Sequence, residues 1–200
     1  MEVVLQGTLL GSAEPSIDAS FAGAGRRLLA DGAWVEHAPG WLAGAEELFV
    51  TVAGIVAWRS PMVTMWDKRL QTPRLNGSLP PERRPPIVTV MRDALSARYG
   101  IEFRSIGANW YRDGHDSVAW HGDRVARELP EATIAIVSLG GPRRFLLRPK
   151  GGGSSVRFDL ASGDLLAMGG SCQRTWQHCV PKVARAAPRI SLTFRHEYLD

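Results

Sequence analysis

His121 and Asp123, separated by one glycine, have the types and spacing for chemistry at a metal ion. On a strand, residues i and i+2 project to the same face, so this pair offers an imidazole and a carboxylate to one point. A further histidine would complete a set of two histidines and one carboxylate. Such a set covers one face of an octahedral ion and leaves three positions open for a chelating co-substrate and dioxygen, the arrangement that suits non-haem Fe(II). His178, in the segment TWQHCVP (175–181), is the best third ligand because it falls on a later extended stretch. Trp176 shares its face by the same period-two rule and could line the pocket. A His-x-Asp pair also arises by chance on a surface or at a cap, so the pair alone decides little. His37, His115 and His196 lack a carboxylate at ligand spacing on a clear strand and are expected to be structural.

The segment RISLTFR (189–195) alternates without a break. Arg189, Ser191, Thr193 and Arg195 share one face, while Ile190, Leu192 and Phe194 share the other. Six residues of strand span roughly 20 Å, so two long arginines leaning toward each other could clamp a small diacid end to end. Inward arginines are costly to bury without an anion. 2-Oxoglutarate would supply a carboxylate to each. An edge strand with solvated arginines is the plain alternative.

Those residues need strands to carry them. From residue 101 the sequence breaks into short runs rich in β-branched and aromatic residues: IEFRSIGANWYR, DSVAWHGD, TIAIVSLG, RRFLLRPK, SSVRFDL, DLLAMGG, TWQHCVP and RISLTFRHEY. Gly, Pro, Asp and Ser punctuate them. Eight such strands predict an α+β, mainly β fold, a double-stranded β-helix or jelly roll over 101–200 with a helical layer in front. Residues 1–100 are expected to form an N-terminal extension of the same single domain. Within it, 43–58 reads as a helix stopped by Pro61, and a second helix begins after Pro86 and stops at Gly100. Residues 68–75 look extended, 76–86 look like a loop, and 1–42 are assigned only as packing on the core.

Bulk properties narrow the function class. Charged residues make up 22% and hydrophobic ones 44%, a globular composition. No run approaches the ~18 apolar residues of a membrane span. The start of the chain lacks the basic region of a signal peptide, so a cytoplasmic protein is expected; a monomer with no membrane partner is the accompanying expectation. Cys172 and Cys179 are too few for a disulfide framework. The net charge is +4, and with three lysines, 21 of the 24 basic residues are arginine. Arginine's planar fork suits phosphate and carboxylate, so a polyanionic partner fits. A GC-rich genome would produce the same bias.

Four ordered segments, NWYRDGHDSVAWHGD (109–123), IAIVSLGGPRRFLLR (134–148), TWQHCVPK (175–182) and PRISLTFR (188–195), resemble those of AlkB-type Fe(II)- and 2-oxoglutarate-dependent demethylases. The likeness is strongest to the branch of human AlkB homologues 2 and 3, and it covers about residues 40–200. The resemblance implies iron ligation by His121, Asp123 and His178. It places Arg189 on the far carboxylate of 2-oxoglutarate, and Arg195 near the carboxylate beside the keto group, close enough to orient Asp123. It also gives the co-substrate hydrogen bonds from Asn109 and Tyr111, with Ser191 where some members carry asparagine. The implied reaction consumes O2 and 2-oxoglutarate and yields succinate and CO2. It strips methyl groups as formaldehyde from N1-methyladenine and N3-methylcytosine type lesions in DNA, with RNA left open.

For contact with nucleic acid, Thr72-Pro73-Arg74 resembles the Pro-Arg of the family's substrate-recognition lid. Arg74 is the best outer contact, Trp66 a candidate stacking platform and Arg157 a candidate phosphate contact. Arg143, Arg144 and Arg148 read as an ordinary soluble hairpin surface. Two departures bear on the substrate. Arg124 and Val125 stand where relatives commonly carry acidic residues, and Asn76 and Gly77 stand where an aromatic would follow the Pro-Arg. Two other readings remain at this stage: a 2-oxoglutarate-dependent hydroxylase of a small molecule or protein, and a cupin-like barrel that binds nucleic acid without catalysis.

Overall fold

The computed structural model describes residues 14–65, 68–125 and 129–196. The chain opens with β1 (Ser16–Ile17), β2 (Gly25–Leu28), β3 (Ala33–Ala38) and β4 (Leu42–Ala43), followed by α1 (Ala45–Ile55). Next come β5 (Met62–Met65), β6 (Lys68–Gln71), β7 (Leu75–Ser78) and α2 (Pro86–Tyr99). The remainder is β8 (Ser105–Tyr111), β9 (Val118–His121), β10 (Ile134–Gly140), β11 (Arg143–Pro149), β12 (Val156–Leu160), β13 (Leu165–Gly170), α3 (Cys172–Thr175), β14 (Trp176–Val180) and β15 (Arg189–Arg195). All eight strands expected after residue 101 are present.

Two antiparallel sheets form the jelly roll, one in the order β2-β3-β13-β10-β15-β8-β7 and the other β12-β11-β14-β9. Sequence alternation sets which face each residue takes. On β10, Ala135, Val137 and Leu139 join the core under the helices, while Ile134 and Ile136 join a second core between the sheets. On β15, Ile190, Leu192 and Phe194 are fully buried in the first core, so their polar neighbours must face the space between the sheets. Truncating Leu192 there would cost about 2–5 kcal/mol.

Both helices lie near their expected bounds. α2 begins at Pro86, whose fixed φ suits the first turn, and stops at Gly100, which is left-handed at φ 65 and donates its N–H to Ser96. α1 ends at Ile55, three residues short of the expected Trp58. The Trp58 indole folds back and donates its Nε1–H to the Ala53 carbonyl at 2.9 Å, occupying a helix-end acceptor.

Two expectations need correction. Residues 76–78, read as loop, continue from Leu75 as a strand in register with β8, with Asn76 opposite Asn109. Of residues 1–42, 1–13 lie outside the described residues, and the rest do more than pack on the core, since six residues of β3 pair with β13. The first hundred residues therefore supply three strands of the larger sheet as well as its helical layer. No helix among the described residues is long and apolar enough to cross a membrane.

Candidate active site

Pairing of β9 with β14 sets His121 directly opposite His178. Asp123 follows two residues beyond the first histidine, where the strand has ended and the chain turns past α3. Glycine is required between them: a Cβ on Gly122 would meet the Gln173 backbone oxygen at 2.8 Å. The Gln173 side chain then accepts the Asp123 N–H at 3.0 Å, fixing the turn.

One ligand atom from each of the three residues lies within 4.8 Å of the others. Asp123 Oδ1 is 3.3 Å from His121 Nε2 and 3.8 Å from His178 Nε2. Ligands on one octahedral face with bonds of ~2.1 Å sit about 3 Å apart, so the donor set needs little movement to close on an ion. His121 Nδ1 donates to the Ala119 carbonyl at 2.9 Å, which leaves Nε2 with its lone pair toward the centre. Burial lowers the His178 pKa, helped by the neighbouring His121, so that imidazole is neutral. Burial would raise the pKa of Asp123, but the Arg195 charge beside it outweighs that and holds the carboxylate ionised. Arg195 donates its Nε–H to Asp123 Oδ2 at 2.9 Å, leaving Oδ1 for the imidazole side.

The same cleft, with a volume of about 1120 Å³, contains Arg189, Ser191 and Thr193 from β15 and Asn109 and Tyr111 from β8. Arg189 is 1% exposed. Its Nη2 donates to Ser138 Oγ at 2.7 Å, while its Nε has no partner. Among the described residues no carboxylate lies within ion-pair range of it, and burial lowers its pKa to about 10. The Tyr111 ring lies 5.4 Å from this guanidinium. A buried cation with an unanswered N–H costs free energy that a bound anion would recover, so this end of the cleft is built for a small carboxylate.

Arg74 is half-buried and lines the cleft, with its guanidinium drawn inward. Its Nε donates to Asn109 Oδ1 at 3.1 Å and its Nη1 to the Ser117 carbonyl at 3.3 Å, tying the segment before β7 to the cleft floor. Asn76 donates to the same Asn109 oxygen at 2.8 Å. Arg157 lies outside the cleft on the edge strand β12 and is paired with Asp159 at 2.7 Å. Trp66 falls outside the described residues. Trp176 is buried in the core between the sheets, and Val125 is wholly buried in the same core. Arg124 is exposed at the rim.

Three contributors were missed in the sequence. Ser138 holds Arg189, and its signal was a lone hydroxyl in the apolar run IAIVSLG. Trp120 lines the cleft under the Arg148 guanidinium at 4.1 Å, and its signal was its position beside His121. Arg143, read as a surface residue, is 3% exposed and donates to the carbonyls of Asp113, Asp116 and Pro181. No local pattern marks it, because its acceptors are backbone groups of distant loops.

Comparison with known proteins agrees with this geometry. Residues 50–195 match the model of the 2OG-Fe(II) oxygenase superfamily. The chain is 33% identical over 179 residues to alpha-ketoglutarate-dependent dioxygenase alkB homolog 3 of Bos taurus, covering 78% of this chain and 63% of that protein. It is 36% identical over 119 residues to DNA oxidative demethylase ALKBH2 of Homo sapiens, covering 55% of this chain and 46% of that one. It thus spans about half to two-thirds of the length of these relatives. The solved structure of OsALKBH1 superposes with a TM-score of 0.59 at 18% identity, over 86% of this chain and 100% of that one, which confirms the jelly roll. On the match across most of its length, the chain belongs to the 2OG-Fe(II) oxygenase superfamily, on the side of it where the alkB homologues lie.

Proposed function

We propose that this cleft oxidatively demethylates N-alkylated bases of the N1-methyladenine and N3-methylcytosine type in DNA, releasing formaldehyde. The observation that carries the reading is the placement of Arg189. It is a buried guanidinium with an unpartnered Nε, in the same cleft as three convergent metal-ligating side chains. That combination fits a metal-chelating diacid and is costly without one.

The residues fit the cofactors of the superfamily. His121, Asp123 and His178 would hold Fe(II), and Arg189 would take the far carboxylate of 2-oxoglutarate. Iron(II), 2-oxoglutarate and O2 together supply the oxidation: the diacid becomes succinate and CO2, and one oxygen atom enters a C–H bond of the substrate. An N-methyl group so hydroxylated breaks its C–N bond, with the hydroxyl proton moving to the base nitrogen and the carbon leaving as formaldehyde.

The chain's own groups position and shield. Arg195 keeps Asp123 ionised and turned toward the imidazoles. Ser138 aims Arg189. Ser191, Tyr111 and Asn109 present polar groups along the co-substrate's path, and Asn109 also receives Arg74, so the lid segment closes on the floor next to the co-substrate. Apolar Ile136, Phe145 and Val180 line the remainder and exclude water. A base cannot reach the centre while stacked in a duplex, so it enters flipped out or from a single strand. The names of the relatives, a DNA oxidative demethylase among them, support nucleic acid as substrate.

The test is mass spectrometry of formaldehyde and restored base from a panel of methylated oligonucleotides. The protein is loaded anaerobically with iron and 2-oxoglutarate before air is admitted. Succinate formed with every oligonucleotide left methylated would overturn the reading.

A further inference from the structure

A second recess, of about 240 Å³, lies against the cleft with the Gly122–Asp123 backbone as the shared wall. Its lining brings together Arg124, Lys150 and Arg174 with the amides of Gln173 and Gln177. Among the described residues its only acid is Asp123, whose carboxylate is engaged by Arg195 and faces the imidazoles of the cleft.

Neither Arg124 nor Lys150 forms an ion pair among the described residues, and both are exposed. Arg174 is held in place by the carbonyls of Val125 and Leu129. Lys150 is anchored through its own N–H, which donates to the Thr175 carbonyl at 2.7 Å. Two exposed cations, with the tied Arg174 beside them, thus line one recess with amide groups between them, an arrangement that attracts an anion.

Arg124 lines both spaces, so whatever fills the recess adjoins whatever fills the cleft. A nucleic-acid strand carries its charge one sugar away from each base, so a cationic recess adjoining a base pocket is placed to meet a neighbouring phosphate. We propose that this recess is a subsite for a backbone phosphodiester next to the nucleotide whose base enters the cleft, with Arg124 and Lys150 as its charged contacts. The proposal rests on the cleft being a nucleobase pocket. It also gives Arg124 a role: the residue after Asp123 faces the strand backbone, while Val125 turns into the core.

The experiment measures fluorescence anisotropy of the full chain with a single-stranded oligonucleotide carrying one central N1-methyladenine. Each linkage around the lesion is replaced in turn by an uncharged methylphosphonate. One replacement is expected to weaken wild-type binding about fivefold or more, yet change binding by Lys150→Ala less than twofold. The slope of log affinity against log salt should fall by about 0.7 in that variant, the contribution of one phosphate on a single strand. Lys150→Arg should restore both. Unchanged melting temperature and an unchanged thermal shift with 2-oxoglutarate show that the fold and the co-substrate end survive. The subsite is overturned if no linkage loses its cost in Lys150→Ala, whatever small anions the recess takes. In that case formaldehyde release by the wild type leaves the demethylase reading standing. Linkage coupling without formaldehyde release does the reverse: the subsite holds and the demethylase reading falls.

Discussion

Two of the regions that bury charge in this molecule treat it differently. Around Glu36, on β3, the carboxylate is 3% exposed and fully answered: Arg26 donates to it at 3.0 Å, Arg98 at 2.8 Å and the Tyr99 hydroxyl at 2.9 Å. The two arginines in turn lie over the Trp34 and Phe21 rings at 4.0 and 4.3 Å. In the cleft, Asp123 is held as tightly, but Arg189 is buried with a hydroxyl for company and an N–H unanswered. Charge balanced within the chain fastens α2 to the sheet. Charge left over marks where something from outside completes the structure.

The comparison is broken most sharply at Asp123. Replacing it with Ala removes the carboxylate ligand and leaves Arg195 facing two imidazoles. Iron-dependent turnover should fall by about a hundredfold or more, since even the partners of metal ligands are worth 10–100-fold. Succinate formation near the wild-type rate would remove Asp123 from the centre.

The closed network answers to acid. The pKa of Glu36 is lowered: burial would raise it, but the hydrogen bonds from Arg98 and Tyr99 and the charge of Arg26 outweigh that. A carboxylate with a depressed folded pKa contributes stability that is present above its unfolded value, near 4.3, and is lost as pH falls through the folded value. Denaturant midpoints should therefore drop between about pH 5 and the acid limit. Glu36→Gln should flatten that limb while costing about 3 kcal/mol at neutral pH, because it strands the Arg98 charge. An acid limb identical in the two proteins would show that the network does not control it.

Arg189 should behave in the opposite sense. Arg189→Met removes an uncompensated cation and fills its space with apolar atoms, so the ligand-free protein should melt at or above the wild-type temperature. Its 2-oxoglutarate affinity should fall at least about 30-fold, the scale of losing a buried charge partner worth ~2 kcal/mol. A ligand-free variant that melts far below wild type would mean that Arg189 is balanced inside the fold and that the contrast with Glu36 is false.

What the sequence made legible follows the same division. The strand 189–195 could be read because its two faces differ in polarity at every step, and each face meets a different environment. His121 and Asp123 could be read from period two, although the turn that carries the carboxylate depends on Gly122 passing α3. β7 was hidden because Asn76-Gly77 has the chemistry of a turn. Here Gly77 sits in a strand for a packing reason, since a Cβ would come within 2.2 Å of Val56 Cγ1. Glu36 and Arg143 were hidden for another reason. Their partners lie at least 27 residues away, apart from Arg26 at 10, and no local pattern reports a long-range acceptor.

Arg157 tests the lower limit of the comparison. It is charged and shares Asp159 with Arg144, yet it is half-exposed and already chelated by Asp159 through both carboxylate oxygens. Water screens such a pair, and holding two mobile side chains together offsets most of the attraction. Arg157→Ala should shift stability by no more than about 0.5 kcal/mol, and should leave oligonucleotide affinity within about twofold, because Asp159 cancels the charge a phosphate would meet. Anisotropy at several salt concentrations checks the second point. If this variant lost as much salt dependence as Lys150→Ala, a paired surface arginine would count as much as an unpaired one. Ion-pair geometry would then be no guide to where this molecule meets its ligands.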